Sequence, residues 1–509
     1  MDALAAARDL LPAWVGATLW LAPLGLGAGG YGLTRLVLSR ALPALPAEPW
    51  TERARLLYPV RALAQQSRLL HLAAAIALAV ATRSAWATPW TAPRLLLTLA
   101  AAWAGPQLAS LQLEGRLRGL ALPVLLRSWL TLAVVLFGAV YVIVGFSALR
   151  SATEGPLRWV VSAVGFVSAV FVGTGGSSLV GALRGVVRPA RPRVREAVER
   201  AAARLKVRYR AVLELDWAQA NALAFPLFRR VAFSTAAAEL LDDAELEAVA
   251  AHELGHLDEP LALRAFRPAV VVLMAFVVFV EPYLVTASLT STAATLAVTL
   301  LLILVVRRVA RRGEQHADSY AKDDGAYARA LEKISRHNLL PLVLRRPGAH
   351  GHMWDRLVAA GRTFEVPRPA PPDRPPRLAS LVLLAAVVAP LTAGAMVQLD
   401  EGGTADDARR RLAVGDASAW TVEVLARDAA TAGRYDEAAT FYRAARQLSP
   451  DEPFFAVALA ITQGNAGRCS EARATLNRAD ALVDAHPGRV KPEDVENAHL
   501  AVEQCAPRQ

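Results

Sequence analysis

The sequence predicts a mainly α-helical, polytopic membrane protein that ends in a helical repeat domain. Three observations predict it. The 509 residues are 54% hydrophobic with positive mean hydropathy, too apolar for an ordinary soluble enzyme. Apolar runs of about 18 or more residues, long enough to cross a bilayer, recur through the first four hundred positions. Near the C-terminus, Ala432-Gly433-Arg434-Tyr435-Asp436-Glu437-Ala438 returns as Ala466-Gly467-Arg468-Cys469-Ser470-Glu471-Ala472, an offset of 34 residues (467 − 433).

Eight apolar stretches read as spans: about 12–34, 69–86, 95–113, 128–148, 159–183, 268–288, 289–306 and 379–398. The first is too long for a secretory signal peptide. The second and third are Ala-rich and broken by Gly and Pro, which also suits one re-entrant hairpin. Trp86, Trp90, Trp129 and Trp159 suit interfacial positions at span ends. Glu281 is the one ionisable residue well inside an apolar run, near the outer end of the sixth span.

The net charge is +11, and only Lys206, Lys322, Lys333 and Lys491 are lysines. The arginines cluster beside the apolar stretches and no nucleic-acid motif accompanies them, so a nucleic-acid partner is not expected. They report topology instead, because cytoplasmic loops collect Arg and Lys. Arg35 to Arg68 follow the first stretch, whereas only Arg83 and Arg94 follow the second. Arg116, Arg118 and Arg127 follow the third, and Arg150 and Arg158 the fourth. A long basic segment from Arg184 follows the fifth, and Arg307 to Arg312 follow the seventh. This alternation places residues 184–267 and 307–378 on the cytoplasmic side and both termini outside. The Arg- and Ala-rich composition points to a GC-rich bacterial genome and an inner or plasma membrane.

Within the cytoplasmic segment lies His252-Glu253-Leu254-Gly255-His256, the H-E-x-x-H pattern. On a helix the two His share a face, where they can hold one zinc ion, and Glu253 can act on the water that zinc activates. The helix prediction rests on the preceding residues. Asp242 or Asp243 can cap it, with Glu245 or Glu247 reaching back, and Leu246, Val249, Ala250 and Leu254 recur at helical spacing. A third ligand is needed. Glu314-Gln315-His316-Ala317-Asp318 begins 58 residues after His256 (314 − 256). Glu314 can bind metal while Asp318, one turn on, orients a ligating His. His316 reads as a helix-face residue.

H-E-L-G-H followed by E-x-x-A-D, with apolar segments between, resembles the membrane zinc metallopeptidases typified by the heat-shock protease HtpX and the CAAX prenyl endopeptidases. The resemblance spans about 190–365. It implies a gluzincin-type domain with a small edge sheet and zinc helices. It also implies one zinc ion per chain on His252, His256 and Glu314, with Glu253 as general base. The family's Asn-Ala pair beside a substrate-binding edge strand matches Asn221-Ala222, with Val231 to Thr235 continuing the strand region. Two features depart from the family. Gly313 stands where Arg often precedes the ligand Glu, although Arg311 matches a second Arg. The downstream His-Pro and Arg segment is represented only by His350-Gly351-His352 and the run Pro367 to Pro376.

The 34-residue period resembles tetratricopeptide repeats, each a helix-turn-helix. Gly433 and Gly467 fall at the turns within units. Residues 404–430 read as a degenerate first unit and 491–505 as a capping helix. Such repeats imply a protein partner for this segment. The two cysteines, Cys469 and Cys505, both lie here, on the expected outer side, where a disulfide can persist.

The expected domains are 1–187, an N-terminal membrane region; 188–377, the metallopeptidase domain with two spans at about 268–306; 378–399, the last span; and 400–509, the repeat domain. The expected function is zinc-dependent endoproteolysis of membrane or membrane-associated proteins, with quality control implied by the resemblance. The alternatives are an inactive scaffold acting through its repeats, or a CAAX-type prenyl-protein endopeptidase.

Overall fold

The structure, a computed structural model, describes residues 3–46, 48–81, 91–151, 153, 155–280, 289–321, 325–345, 351–363, 367–399, 402–413 and 418–506. In chain order the helices before the sheet are α1 (Ala3–Asp9), α2 (Ala13–Ala41), α3 (Trp50–Ala81), α4 (Thr91–Arg118), α5 (Leu122–Val135), α6 (Gly138–Ser151), α7 (Gly155–Phe171) and α8 (Ser177–Leu183). Then come β1 (Val187–Pro189), α9 (Pro192–Leu205), β2 (Ala211–Leu215), β3 (Ala222–Phe225), β4 (Arg230–Ser234), α10 (Thr235–Leu240), α11 (Asp243–Leu257) and α12 (Leu261–Phe279). After these lie α13 (Leu289–Tyr320), α14 (Ala326–Asn338), α15 (Met353–Ala359) and α16 (Arg377–Leu399). The C-terminal helices are α17 (Ala405–Ala413), α18 (Ala419–Thr431), α19 (Tyr435–Leu448), α20 (Pro453–Asn465), α21 (Cys469–Ala485) and α22 (Pro492–Glu503). The chain is mainly α with one small sheet, as the sequence predicts.

Contacts divide the chain into two units: Met1–Tyr31, Arg68–Pro106 and Val382–Gln509 in one, Gly32–Ser67 and Gln107–Leu381 in the other. The second unit holds the sheet, in the order β1-β2-β4-β3. β2 and β4 pair in parallel, and β3 pairs antiparallel to β4 with Ala222 opposite Phe233. β3 is therefore an edge strand. Pro192 starts α9 at a position where its missing N–H costs nothing. Val194, Ala197, Val198 and Ala201 recur along one α9 face and are fully buried with Val231, Phe233, Leu246 and Ala250. Glu214 on β2, 1% exposed, accepts from Arg188 at 2.7 Å and Arg191 at 2.8 Å, tying strand to strand and strand to helix. Burial opposes its ionisation, but the two arginines outweigh that and hold its carboxyl below the usual range.

Among the described residues, three helices are long and apolar enough to cross a membrane: Gly155–Leu183, Leu261–Phe279 and Arg377–Val397. They match the fifth, sixth and eighth predicted stretches. The fourth stretch is a bent pair, α5 and α6, turned by 72° at a short break. The connection between the second and third stretches, where a re-entrant hairpin is the alternative, falls outside the described residues. Those stretches fall on α3 and α4, two long helices separated by residues outside the described set. Trp86, Trp90, Glu281 and His350 also lie outside the described residues.

In the first unit α2 and α4 approach through glycine. A Cβ on Gly105 would sit 2.1 Å from the Gly27 carbonyl oxygen, and one on Gly27 would sit 2.9 Å from that of Ala101. Small residues permit this kind of close crossing between apolar helices. The repeat helices pair as α18 with α19 and α20 with α21, with Gly433 (φ 73°) and Gly467 (φ 76°) in left-handed turns between them. The region 404–430 is not a separate degenerate unit. It contains α18, the first helix of the unit whose second helix is α19. α22 caps the array, and Cys469 and Cys505 form a disulfide with Cα atoms 5.6 Å apart. α1 packs on α19, burying Leu4 and Ala7 among Leu412, Leu425, Phe441 and Tyr442.

Candidate active site

α11 begins with a capping box. Asp242 accepts from the Glu245 amide and the Glu245 carboxylate accepts from the Asp242 amide, both at 2.9 Å. Of the two caps and two partners open in the sequence, these are the pair used. Asp243 and Glu247 instead bind Arg193 and Arg200 of α9. The helix thus starts at a defined residue, which fixes the faces of everything after it. His252, Glu253 and His256 follow in its last turns, each 6% exposed.

α13 crosses α11 at a small-residue contact. A Cβ on Gly255 would lie 2.9 Å from the Ala317 Cα and 3.2 Å from the Tyr320 side chain. Gly255 and Ala317, a residue of each motif, therefore let the helices approach. That approach brings Glu314 to the two histidines, with Oε2 3.6 Å from His252 Nε2 and Oε1 3.6 Å from His256 Nε2. The three residues each offer one ligand atom, all within 4.8 Å of one another. Gly255→Ala is expected to push the helices apart, at about 1–3 kcal/mol of stability. It should also weaken metal binding at least tenfold. Thermal unfolding and zinc titration check this, and unchanged metal affinity would count against the close-approach account.

The other ring nitrogens face inward partners. His256 Nδ1 is 2.7 Å from Oε1 of buried Glu259. His252 Nδ1 is 3.1 Å from Asp318 Oδ1 and 2.9 Å from the Tyr327 hydroxyl. These acceptors favour the proton on Nδ1 and leave the Nε2 lone pairs for a metal. The Tyr327 ring stacks on His252 at 5.6 Å, and its hydroxyl donates to Asp318 at 2.8 Å. Arg356 of α15 donates to both Asp318 oxygens, at 3.1 and 2.7 Å, and to the Tyr327 hydroxyl at 2.7 Å. Burial opposes ionisation of Asp318, yet hydrogen bonds from His252 and Arg356 hold its carboxyl far below the usual range. Burial, reinforced by the Asp318 charge, keeps the Tyr327 hydroxyl protonated well past its ordinary value.

Asn221 and Ala222 lie where the edge strand starts. The Asn221 amide donates to Ser234 Oγ at 2.9 Å and its carbonyl accepts from the Ser234 amide at 2.9 Å. β3 packs against α11 and so adjoins the histidines' helix. Val231 to Ser234 form the inner strand β4, and Thr235 already opens α10. His316 does not join the cluster. Its Nε2 is 3.3 Å from the Asp258 carbonyl at the end of α11, where the Tyr320 hydroxyl also binds the Asp258 carboxylate at 2.6 Å. That bond, with burial, pushes the Tyr320 hydroxyl up to about 12.

Sequence reasoning missed Glu259, Tyr327 and Arg356. Glu259 stands three residues after His256, a readable helical spacing. Arg356 follows His352 by one turn, in the downstream region where the family resemblance implies an Arg-containing segment.

Residues 190–381 match peptidase family M48, and residues 429–488 match the tetratricopeptide repeat. No curated protein matches the chain. The first match contains both motifs and every strand of the sheet but β1, and the second contains the turns at Gly433 and Gly467. The chain therefore carries a peptidase family M48 domain followed by a C-terminal tetratricopeptide segment.

Proposed function

We propose that this protein is a membrane-embedded zinc endopeptidase that cleaves membrane or membrane-associated proteins. The observation that carries the reading is the convergence of His252, His256 and Glu314, with each imidazole backed on its far nitrogen by a carboxylate. A tetrahedral zinc with bonds of about 2.0–2.1 Å sets neighbouring donors roughly 3.3 Å apart, so separations of 3.6 Å suit one ion between them. Glu259 and the Asp318–Tyr327–Arg356 group would hold the rings in the binding tautomer. When bound, zinc supplies a Lewis acid for the scissile carbonyl and a water that can lose a proton near neutral pH. Glu253 would accept a proton from the attacking water and deliver it to the departing amine. The outer edge of β3, entered at Asn221 and Ala222, would pair with substrate main chain as an added strand.

The Arg alternation supports a site at the cytoplasmic face of a bacterial inner or plasma membrane, with the repeat domain outside. The disulfide in that domain suits an oxidising compartment. Quality control of membrane proteins is the role the family resemblance implies, and the repeats supply a surface for a protein partner. An intramembrane protease would carry its third ligand deep in a later span. Here Glu314 lies beyond Arg307 to Arg312, and the His-bearing helix is capped and ion-paired at its start. The ligand set and Glu253 count against an inactive scaffold. No residue of the site reads a prenyl group.

Purified chain is expected to contain one zinc ion, to digest casein, and to lose digestion with a zinc chelator and regain it with added zinc. Elemental analysis and a casein assay check this. Metal-free protein that still cleaves, or zinc-loaded protein that never does, would sink the reading.

A further inference from the structure

The segment leading into β3 is held from several sides, and one residue grips it twice. Asn338 is the last residue of α14 and is 6% exposed. Its Oδ1 accepts from the Ala220 amide at 3.1 Å, and its Nδ2 donates to the Ala220 carbonyl at 2.7 Å. Both main-chain groups of fully buried Ala220 are thus satisfied by one side chain, as a neighbouring strand would satisfy them. Asn221, the start of the edge strand, is the next residue.

Asn338 is itself fixed. Arg61 of α3, paired with Glu114 of α4 at 2.7 Å, donates to the Asn338 carbonyl at 3.0 Å and the Leu339 carbonyl at 2.7 Å. Two residues upstream of Ala220, the Ala218 amide donates to Ser128 Oγ of α5 at 3.0 Å, and the Ala218 carbonyl lies 3.2 Å from His337 Nε2. Thr131, one turn after Ser128, donates to the Asp216 carbonyl at 2.8 Å. At its other end α14 carries Tyr327, which touches His252. One helix of 13 residues therefore reaches a metal-facing histidine at its start and the entry to the edge strand at its end.

We infer that Asn338 is a positioning residue for peptide substrate: it sets the main chain at Ala220 so that β3 presents a straight edge for pairing, with Ser128 as a second anchor. This rests on the reading of β3 as the substrate strand. Asn338 does not reach the metal cluster, so its removal should act on binding and not on the chemical step.

The test uses full-length, detergent-solubilised protein carrying Glu253→Gln, with fluorescein-labelled casein peptide as the probe. Adding Asn338→Ala leaves two buried main-chain groups without their partner and is expected to weaken peptide binding about tenfold. Zinc content should not change. With Glu253 intact, the same change should raise KM and leave kcat within about twofold. Ser128→Ala, which removes a single hydrogen bond, should weaken binding by a smaller factor. Ser128→Thr, which keeps the hydroxyl, should restore it. Equal binding with and without Asn338→Ala, binding by neither protein, or a loss of binding that tracks a loss of zinc overturns the inference. Absence of casein cleavage by the unsubstituted chain overturns the peptidase reading instead, and the binding comparison still decides the role of Asn338.

Discussion

Glu253→Gln is expected to lower kcat on casein by about two to four orders of magnitude while zinc content and folding stay as they are. The reason is geometric. Glu253 follows His252 directly on α11 and is only 6% exposed, so its carboxylate works in the confined space beside the proposed metal ligands. Gln keeps the shape and the ability to accept a hydrogen bond but cannot take a proton. The loss should therefore appear in kcat, with KM little altered, as for an interaction made in the transition state. Zinc analysis of the same preparation separates this outcome from metal loss. A variant with full activity would remove Glu253 from the mechanism.

Arg356→Ala should produce the second large effect, on the metal and on stability together. Arg356 is the cation between Asp318 and Tyr327, with its side chain 12% exposed and that of Asp318 30% exposed. Removing it strands a mostly buried carboxylate whose ionised state Arg356 helps to hold. Breaking such a pair costs about 3 kcal/mol. Asp318 and Tyr327 would then hold His252 less firmly, and zinc affinity should fall about 10- to 100-fold, as when a ligand's hydrogen-bond partner is lost. Lys should rescue poorly, because Arg356 uses separate nitrogens on the two Asp318 oxygens. Thermal unfolding and competitive zinc titration measure both parts. Unchanged zinc affinity would reduce Arg356 to a structural contact.

These two residues also mark what a sequence can and cannot disclose. Glu253 was legible because its chemistry is written in five consecutive residues with a helical period. The capping box was legible for the same reason, as was the 34-residue repeat. Glu314 and Asp318 needed the four-residue spacing within their own motif. Arg356 lies 38 residues beyond Asp318 and on another helix, so no periodicity links them. Tyr327 stands only nine residues from Asp318, but on the next helix, so no helical period links the two. Asn338 was invisible for a further reason: its partner is main chain, and main chain carries no sequence signal. The apolar runs gave the stretches that become helices, yet composition does not say where a helix breaks. Among the described residues a bend falls between Val135 and Gly138, inside the fourth stretch, which composition did not mark.

The docking of α1 on α19 has an arithmetic consequence. Residues 3–9 precede every apolar stretch, and residues 435–448 follow all of them. In a bilayer, two segments that touch in water lie on one side, so the chain between them must cross an even number of times. Three crossings are odd. If the three long helices cross a bilayer and α1 keeps its place on α19, parity requires a further crossing stretch. Counting the bent pair α5–α6 as one passage gives four, and the eight stretches of the sequence satisfy the same parity. A reporter fused at either terminus should then answer from the same compartment, and one inserted just before α16 from the opposite one.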